Sequence, residues 1–506
     1  MRQFLPDRTT SLSFLSGLAL ACSFPRPDLA CVAWIALAPV ILIMHERPFR
    51  SGFAAGVGFF GLVLYWLNIV MTTYGKMHPV FSVVAYLLLV GYLSLFFAVS
   101  TWAACRLRER LGMSPLLTLP VLWVACEFLR SFLLSGFPWA SLGYSQQAHL
   151  YLIQSLDLFG VYGVSFLIVL VNVVLAIFIQ SLVRRSWQAF PWKGAVVTGC
   201  LVAANVVYGY YRLGLDLNSR EQTLSVALIQ GNIDQSLKWH PANQQKTVAI
   251  YRDLTLAAAA EKQADLVIWP ESATPFYFQD GSALSAVVQA TARQADARLL
   301  FGSPAYEYVN RRPHYLNSAF LLSAEGQVLG RSDKVHLVPF GEYVPLGKYL
   351  PFIDKLVVGI GDFSPGTISP LPMNGAEIGV LVCYEAIFPE LAREWVRQGS
   401  DLLVNITNDA WFGRSSAPYQ HLAMTRFRAI ENRIWIARAA NTGISAFIAP
   451  SGAIINQSPI FETLYVQGEV GMGARPTLYT RLGDVVPALF VLTGIVWLAR
   501  TRKRLN

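Results

Sequence analysis

Residues 378–390 read Ile378-Gly379-Val380-Leu381-Val382-Cys383-Tyr384-Glu385-Ala386-Ile387-Phe388-Pro389-Glu390. An apolar run leads straight into a cysteine, and a proline soon after opens a helical stretch. Such a run suits a strand buried on both faces, the habit of parallel sheets. Cys383 then stands at the end of a strand, just ahead of a helix. Backbone N–H groups near such a position can stabilise an oxyanion and lower a thiol pKa. A lone cysteine is more often a buried core residue, so this reading needs support from the rest of the chain.

The surrounding segment repeats the pattern. Strands are expected at Leu224–Gln230, Asp265–Trp269, Arg298–Gly302, Leu316–Leu322, Glu377–Cys383, Asp401–Ile406, Ile434–Ala440 and Ser445–Ala449. Helices are expected at 241–264, 282–296, 388–398 and 418–432. Residues 213–483 therefore read as one large α/β domain. No internal repeat or low-complexity segment interrupts it.

The rest of the chain is of another kind. Of 506 residues, 54% are hydrophobic and only 14% charged, and mean hydropathy is +0.43. Soluble domains carry about 25% charged residues. Disorder is excluded by the apolar and aromatic content. From Ser51 to Cys105 the only charged residue is Lys76. Eight spans are expected, near 9–24, 29–44, 51–72, 79–104, 114–134, 158–183, 194–212 and 485–500. The first, second and last are short.

Basic residues orient these spans. Arg2 and Arg8 precede the first, and Arg47 and Arg50 follow the second. Arg106, Arg108 and Arg110 follow the fourth, and Arg184, Arg185 and Lys193 the sixth. Arg500, Arg502, Lys503 and Arg504 follow the last. With eight spans all these clusters share one side, which the positive-inside rule makes cytoplasmic. The formal charge of +9 is thereby explained without nucleic acid. The expected organisation is a seven-span membrane domain at 1–212, an external, periplasmic domain at 213–483, and an eighth span with a basic cytoplasmic tail at 484–506. Arg2, Arg8 and the apolar run after them also fit a signal peptide, and Ala19-Leu20-Ala21-Cys22 faintly suggests lipoprotein processing. The spans that follow at once argue against cleavage.

Of six cysteines, Cys22, Cys31, Cys105, Cys126 and Cys200 lie in or beside expected spans. Cys383 alone lies in the external domain, without a disulfide partner there. In an oxidising compartment that implies burial or chemistry. The histidines and cysteines show no metal-ligand spacing, so no metal site is expected.

Two further segments favour chemistry. In Asp265-Leu266-Val267-Ile268-Trp269-Pro270-Glu271, a carboxylate follows a strand and a proline. Glu271 there could act as a general base if burial raises its pKa, or be an ordinary turn residue. In Lys334-Val335-His336-Leu337-Val338-Pro339-Phe340-Gly341-Glu342-Tyr343, a lysine and a second glutamate share a loop-rich stretch. Lys334 near a cysteine would favour thiolate and donate to an oxyanion. Any one of these is weak alone; together, at strand ends and turns, they form a chemical set.

These motifs resemble the carbon–nitrogen hydrolase, or nitrilase, superfamily: Trp269-Pro270-Glu271-Ser272, the stretch 334–345, and Cys383 to Glu390. With the spans and Asn405-Ile406-Thr407-Asn408-Asp409-Ala410-Trp411-Phe412, the whole chain is similar to the bacterial apolipoprotein N-acyltransferases. The fold class this implies is a multi-span helical membrane bundle plus an external nitrilase-like α-β-β-α sandwich. The resemblance implies Cys383 as nucleophile, Glu271 as general base and Lys334 as oxyanion-stabilising amine. It implies supporting roles for Glu342, Tyr384 and Glu385, and places Trp239 near the substrate entrance. The implied reaction takes an acyl chain from a phospholipid, expected to be phosphatidylethanolamine, onto the cysteine as a thioester. The α-amine of an S-diacylglyceryl-cysteine apolipoprotein then receives it. No cofactor is expected, because the ester is already an activated acyl donor.

Both substrates are membrane-held, so the site must open to the bilayer. Residues 346–363, with Leu356 and Val358, are expected to form a mobile apolar gate. Glu127 and Arg130, three apart in the fifth span, are read as a structural pair, and Trp66, Trp123 and Trp139 as packing or interfacial residues. A monomer is expected. Two other classes remain: a membrane-tethered amidase using water as acceptor, and a transporter or scaffold whose external domain only binds. The first leaves eight spans unexplained, the second the complete Glu–Lys–Cys set.

Overall fold

A computed structural model describes residues 7–217, 222–343 and 363–503. The chain divides into two compact units, one of residues 1–68, 79–214 and 482–506, the other of 69–78 and 215–481.

The first unit is helical. Four of its helices are long and apolar enough to cross a membrane: Pro79–Leu111, Leu156–Val183, Trp192–Leu215 and Val485–Arg502. The broken helix Pro48–Val63 plus Leu67–Tyr74 makes a fifth if counted as one span. The other expected spans are shorter helices: Arg8–Ala21, Ala30–Ile43 and Pro115–Arg130. Asp7 starts the first of these, its carboxylate accepting from the Thr10 N–H at 2.8 Å. Glycines set the closest helix contacts. A Cβ on Gly17 would fall 2.0 Å from the Ala55 carbonyl oxygen, and one on Gly58 2.3 Å from that of Phe14. Small residues in these places let backbones touch where no water drives association.

Glu127 and Arg130 do not form the expected pair. Among the described residues no ion pair joins them; both brace the chain after their own helix. Glu127 accepts from the Leu142 N–H at 2.7 Å and from the Trp123 indole at 3.1 Å. Arg130 donates to the Trp139 carbonyl at 2.6 Å and the Ser141 hydroxyl at 3.2 Å. Irregular backbone leaves polar groups that a buried charge can satisfy. Trp66, Trp123 and Trp139 are all buried, so they pack.

Among the described residues the second unit holds twelve strands. β1 (Thr223–Gln230), β2 (Leu266–Ile268), β3 (Arg298–Val309), β4 (Arg312–Leu322) and β5 (Val328–Asp333) come first. β6 (Leu371–Met373), β7 (Ala376–Val382), β8 (Leu402–Thr407) and β9 (Ile436–Ala440) follow. β10 (Ala446–Ile448), β11 (Ile454–Gln457) and β12 (Leu464–Gly471) close the unit. They form two six-stranded sheets, ordered β12-β1-β2-β3-β4-β5 and β11-β10-β9-β8-β7-β6. β1, β2 and β3 are parallel, as are β7, β8 and β9; the flanking pairs are antiparallel.

Alternation along each strand builds the layers. Val226 and Leu228 of β1 face a shared core with Val380, Val382, Val404 and Ile406 of the other sheet. Ala227 and Ile229 face the opposite way, onto helices Pro241–Glu261 and Ala283–Ala295. The second sheet is covered by Pro389–Arg397 and Ala417–Asn432. The result is an α-β-β-α sandwich. All eight expected strands and four expected helices are present. β5, β6, β11 and β12 were not expected: they are short, or mix polar and small residues along a half-exposed edge.

Phe447 on β10 is fully buried in the inter-sheet core. It covers Gly468 of β12 in the other sheet, where a Cβ would sit 2.7 Å from its ring. Phe447→Ala is expected to lower stability by about 3–5 kcal/mol, because the cavity spans both sheets. Thermal unfolding in detergent micelles measures this, and an unchanged midpoint would contradict the packing described.

Candidate active site

The site assembles where strands of both sheets end. Glu271 follows β2 through Trp269-Pro270, Lys334 directly follows β5, and Cys383 directly follows β7. Three sequence-distant turns thus meet because β2, β5 and β7 belong to two sheets packed face to face.

Lys334 is the electrostatic centre. Its ammonium is 1% exposed, 2.9 Å from Glu342 Oε1 and 3.7 Å from Glu271 Oε1. Asn317 of β4, which the sequence reading missed, donates from Nδ2 to both carboxylates at 2.8 Å. Glu271 also accepts from the Asn408 N–H at 3.0 Å, and Glu342 from the Val338 N–H at 2.8 Å. Burial alone would push the Lys334 amine down. Glu342, Glu271, Cys383 and Glu385 outweigh it and hold the amine well above its ordinary value. The lysine is therefore a fixed cation.

Cys383 has φ +54°, the left-handed region. For a residue with a Cβ this costs about 1–3 kcal/mol and persists only where the surroundings impose it. Burial, then the charge of Glu271, pushes its thiol up; Lys334 pulls the other way without prevailing. Lys334 favours thiolate, as expected, but burial and Glu271 outweigh it, and a neutral resting thiol is the outcome. The proton must then leave as the sulfur reacts, which requires a base close by.

Glu385 clamps the same turn. Oε1 accepts from the Val335 and His336 N–H groups at 2.7 and 2.9 Å, Oε2 from Val382 N–H at 2.6 Å. It ties the chain after Lys334 to the chain before Cys383. Burial raises its carboxyl to about 7, against Lys334 and those three donors. Tyr384 is directed into an aromatic group, 5.1 Å from Phe388 and 6.1 Å from His336 between ring centroids. Burial and then Lys334 lower His336 to about 4, so that ring is neutral.

Lys238 also belongs to the site, a residue the sequence reading missed. Fully buried, it donates to the Glu271 carbonyl at 3.1 Å. Burial lowers its amine to about 8, against the charges of Glu271 and Cys383. Trp239, next in sequence, is 36% exposed. With Pro275, Phe276 and Tyr277 it lines a cavity of about 320 Å³. Leu356 and Val358 lie outside the described residues. Where description resumes, the Phe363 N–H donates to the Glu342 carbonyl at 3.1 Å and the Gly366 N–H to that of Lys334 at 2.8 Å.

Buried polar residues inside apolar strands were the signal for what was missed. Asn317 interrupts Leu316 to Phe320 and Arg438 interrupts Ile434 to Ala440. A buried strand tolerates such residues only where partners wait for them. Lys238 had no such signal. Among the described residues no group of side chains suits a metal ion.

The chain is similar to known proteins over most of its length. Residues 16–174 match the apolipoprotein N-acyltransferase N-terminal domain, and residues 225–473 match carbon-nitrogen hydrolase. An apolipoprotein N-acyltransferase of Geobacter metallireducens is 50% identical over 95% of this chain and 93% of its own length. That of Methylococcus capsulatus is 34% identical over 98% and 96%. Among solved structures, an amidase from Nesterenkonia sp. AN1 of the nitrilase superfamily is 22% identical, covering 51% of this chain and 93% of that one, with TM-score 0.37. With both halves matched and identity extending over nearly its full length, the chain belongs to the apolipoprotein N-acyltransferase family.

Proposed function

We propose that this enzyme transfers an acyl chain from a membrane phospholipid to the α-amine of the S-diacylglyceryl-cysteine that begins an apolipoprotein. The transfer completes lipoprotein maturation and passes through a thioester on Cys383. The observation that carries the reading is the convergence of Glu271, Lys334 and Cys383 at one end of the sandwich, in a chain that also bears helices long and apolar enough to cross a membrane.

The chemistry follows from the charges. Glu271 takes the thiol proton as Sγ attacks the ester carbonyl. Lys334, held cationic by two carboxylates, donates to the oxygen that gains charge. Collapse expels the lysophospholipid alkoxide, which takes the proton back from Glu271. In the second half, the neutral α-amine attacks the thioester, Glu271 receives its proton, and the Cys383 thiolate leaves and is reprotonated. The thioester splits one hard transfer into two easier steps. Glu342 and Glu385 hold Lys334 and the Cys383 turn, Tyr384 contributes its backbone N–H to the oxyanion, and Trp239 lies at the substrate entrance. No cofactor takes part.

Phosphatidylethanolamine is the proposed donor, and the working form a monomer. The proposed topology has eight spans in a bacterial inner membrane, with residues 213–483 in the periplasm and both termini in the cytoplasm. The short apolar helices beside the four long ones make up that count. Leu356 and Val358 remain proposed gate residues.

Purified protein incubated with phosphatidylethanolamine is expected to gain one acyl mass on Cys383. Hydroxylamine should remove it, and a diacylglyceryl-cysteine peptide should discharge it. Discharge by water alone would make the enzyme a hydrolase. Cys383→Ser should fold and insert but fall below about one-thousandth of normal transfer; substantial residual transfer would remove Cys383 from its role.

Thioester formation should also depend on Lys238. Below pH 8 its amine is charged beside Glu271 and Cys383 and favours the developing thiolate. That help is lost as pH rises through about 8. Lys238→Met should flatten this alkaline fall in single-turnover acylation profiles. A fall that persists unchanged in the variant would assign it to another group.

A further inference from the structure

Behind Cys383 lies a buried polar cluster that the reaction above does not use. His421, on the helix Ala417–Asn432, is 1% exposed. Its Nε2 lies 3.1 Å from the Cys383 carbonyl oxygen. A carbonyl only accepts, so Nε2 carries the hydrogen. Nδ1 faces Asp409 Oδ1 at 3.0 Å and an Arg438 guanidinium nitrogen at 3.1 Å. Burial and Arg438 both lower the pKa of the ring, against Asp409. In the neutral ring Nδ1 is an acceptor, and Arg438 is the donor that fills it. Asp409 is satisfied elsewhere, by Thr407 Oγ1 on Oδ1 at 2.8 Å and by Arg438 on Oδ2 at 2.7 Å. The guanidinium reaches Asn405, Thr425 at 3.2 Å and the Ile444 carbonyl at 3.1 Å as well. The tautomer of His421 is thus dictated by its neighbours.

The cluster sits on the segment that also holds the base. The Asn408 N–H binds Glu271 Oε2, and the next residue, Asp409, holds the Arg438 guanidinium that donates to His421 Nδ1. Glu385 grips the Val382 N–H on one side of the cysteine, and His421 grips the Cys383 carbonyl on the other. Between these two bonds lies the positive φ that turns Sγ out of the strand direction.

We infer that His421 is a positioning residue for the nucleophile. As a donor at Nε2, its Nδ1 filled by the Arg438 that Asp409 holds, it fixes the Cys383 carbonyl so that the left-handed backbone presents Sγ to Glu271. It adds no charge to a site whose charges are already matched. The inference rests on Cys383 being the nucleophile.

The test compares His421→Leu, His421→Gln and His421→Asn in full-length enzyme with phosphatidylethanolamine vesicles. The readouts are single-turnover thioester formation, half-saturating lipid concentration and thermal midpoint. Misplacing a reacting atom by about 1 Å costs about 100-fold. His421→Leu is therefore expected to slow acylation about 100-fold at an unchanged half-saturating concentration. The Gln amide can place an N–H near that of Nε2, so His421→Gln should regain at least about tenfold of that loss. Asn is too short to do so, and it replaces Leu in the comparison if Leu does not fold. Normal acylation in a folded Leu or Asn variant would overturn the inference. So would Gln and Asn variants that are equally slow, since a donor then makes no difference. A wild-type enzyme that forms no adduct on Cys383 would instead overturn the reading on which the inference stands.

Discussion

A fully buried ammonium survives only where opposite charge and hydrogen bonds replace the water it has lost. Lys334 meets that condition by lying against Glu342 and beside Glu271, with Asn317 bridging both carboxylates. The two glutamates in turn depend on it. Each takes a further backbone N–H, but without the lysine two carboxylates would share one buried amide. The cation is therefore what allows a base and its partner to lie this close in a dry place. The thiol stays neutral because burial, and then the charge of Glu271, outweigh the pull of Lys334.

Sheet packing supplies the geometry for this charge cluster. β2 and β5 of one sheet and β7 of the other end near one another, so short turns suffice to bring their residues together. The shared apolar core of Val226, Leu228, Val380 and Val404 fixes the relation of the sheets. Polar residues then couple the turns one to another. Glu385 joins the lysine turn to the cysteine turn, and the stretch Asn405 to Asp409 joins the base to the back of the nucleophile. A displacement of one turn is felt by the others through bonds of 2.6–3.1 Å.

The helical unit obeys a different solvent. Its close contacts run through glycine and small residues, and the buried charges of Glu127 and Arg130 serve irregular backbone. Apolar length is readable there, since each candidate span is a local run. Which short runs count as spans is not, because helices of 14 and 16 residues fall short of the roughly 20 apolar residues that cross a bilayer.

Much was legible in the sequence by itself. Strand and helix periods outlined an α/β domain, because burial on two faces writes itself as unbroken apolar runs such as Ile378 to Val382, while the sandwich was implied by the resemblance of the motifs. Glu271 and Cys383 stood out because each follows such a run, and Lys334 because it shares a loop-rich stretch with a second glutamate. Half-exposed edge strands such as β5 and β12 left no such trace. Asn317, Lys238 and the cluster of Asp409, His421 and Arg438 become meaningful only in three dimensions. Hydrogen bonds are directional and short-ranged, so their partners are set by packing between segments separated by dozens to hundreds of residues. Composition and periodicity report how much of a side chain is buried, and only the tertiary structure decides what it is buried against.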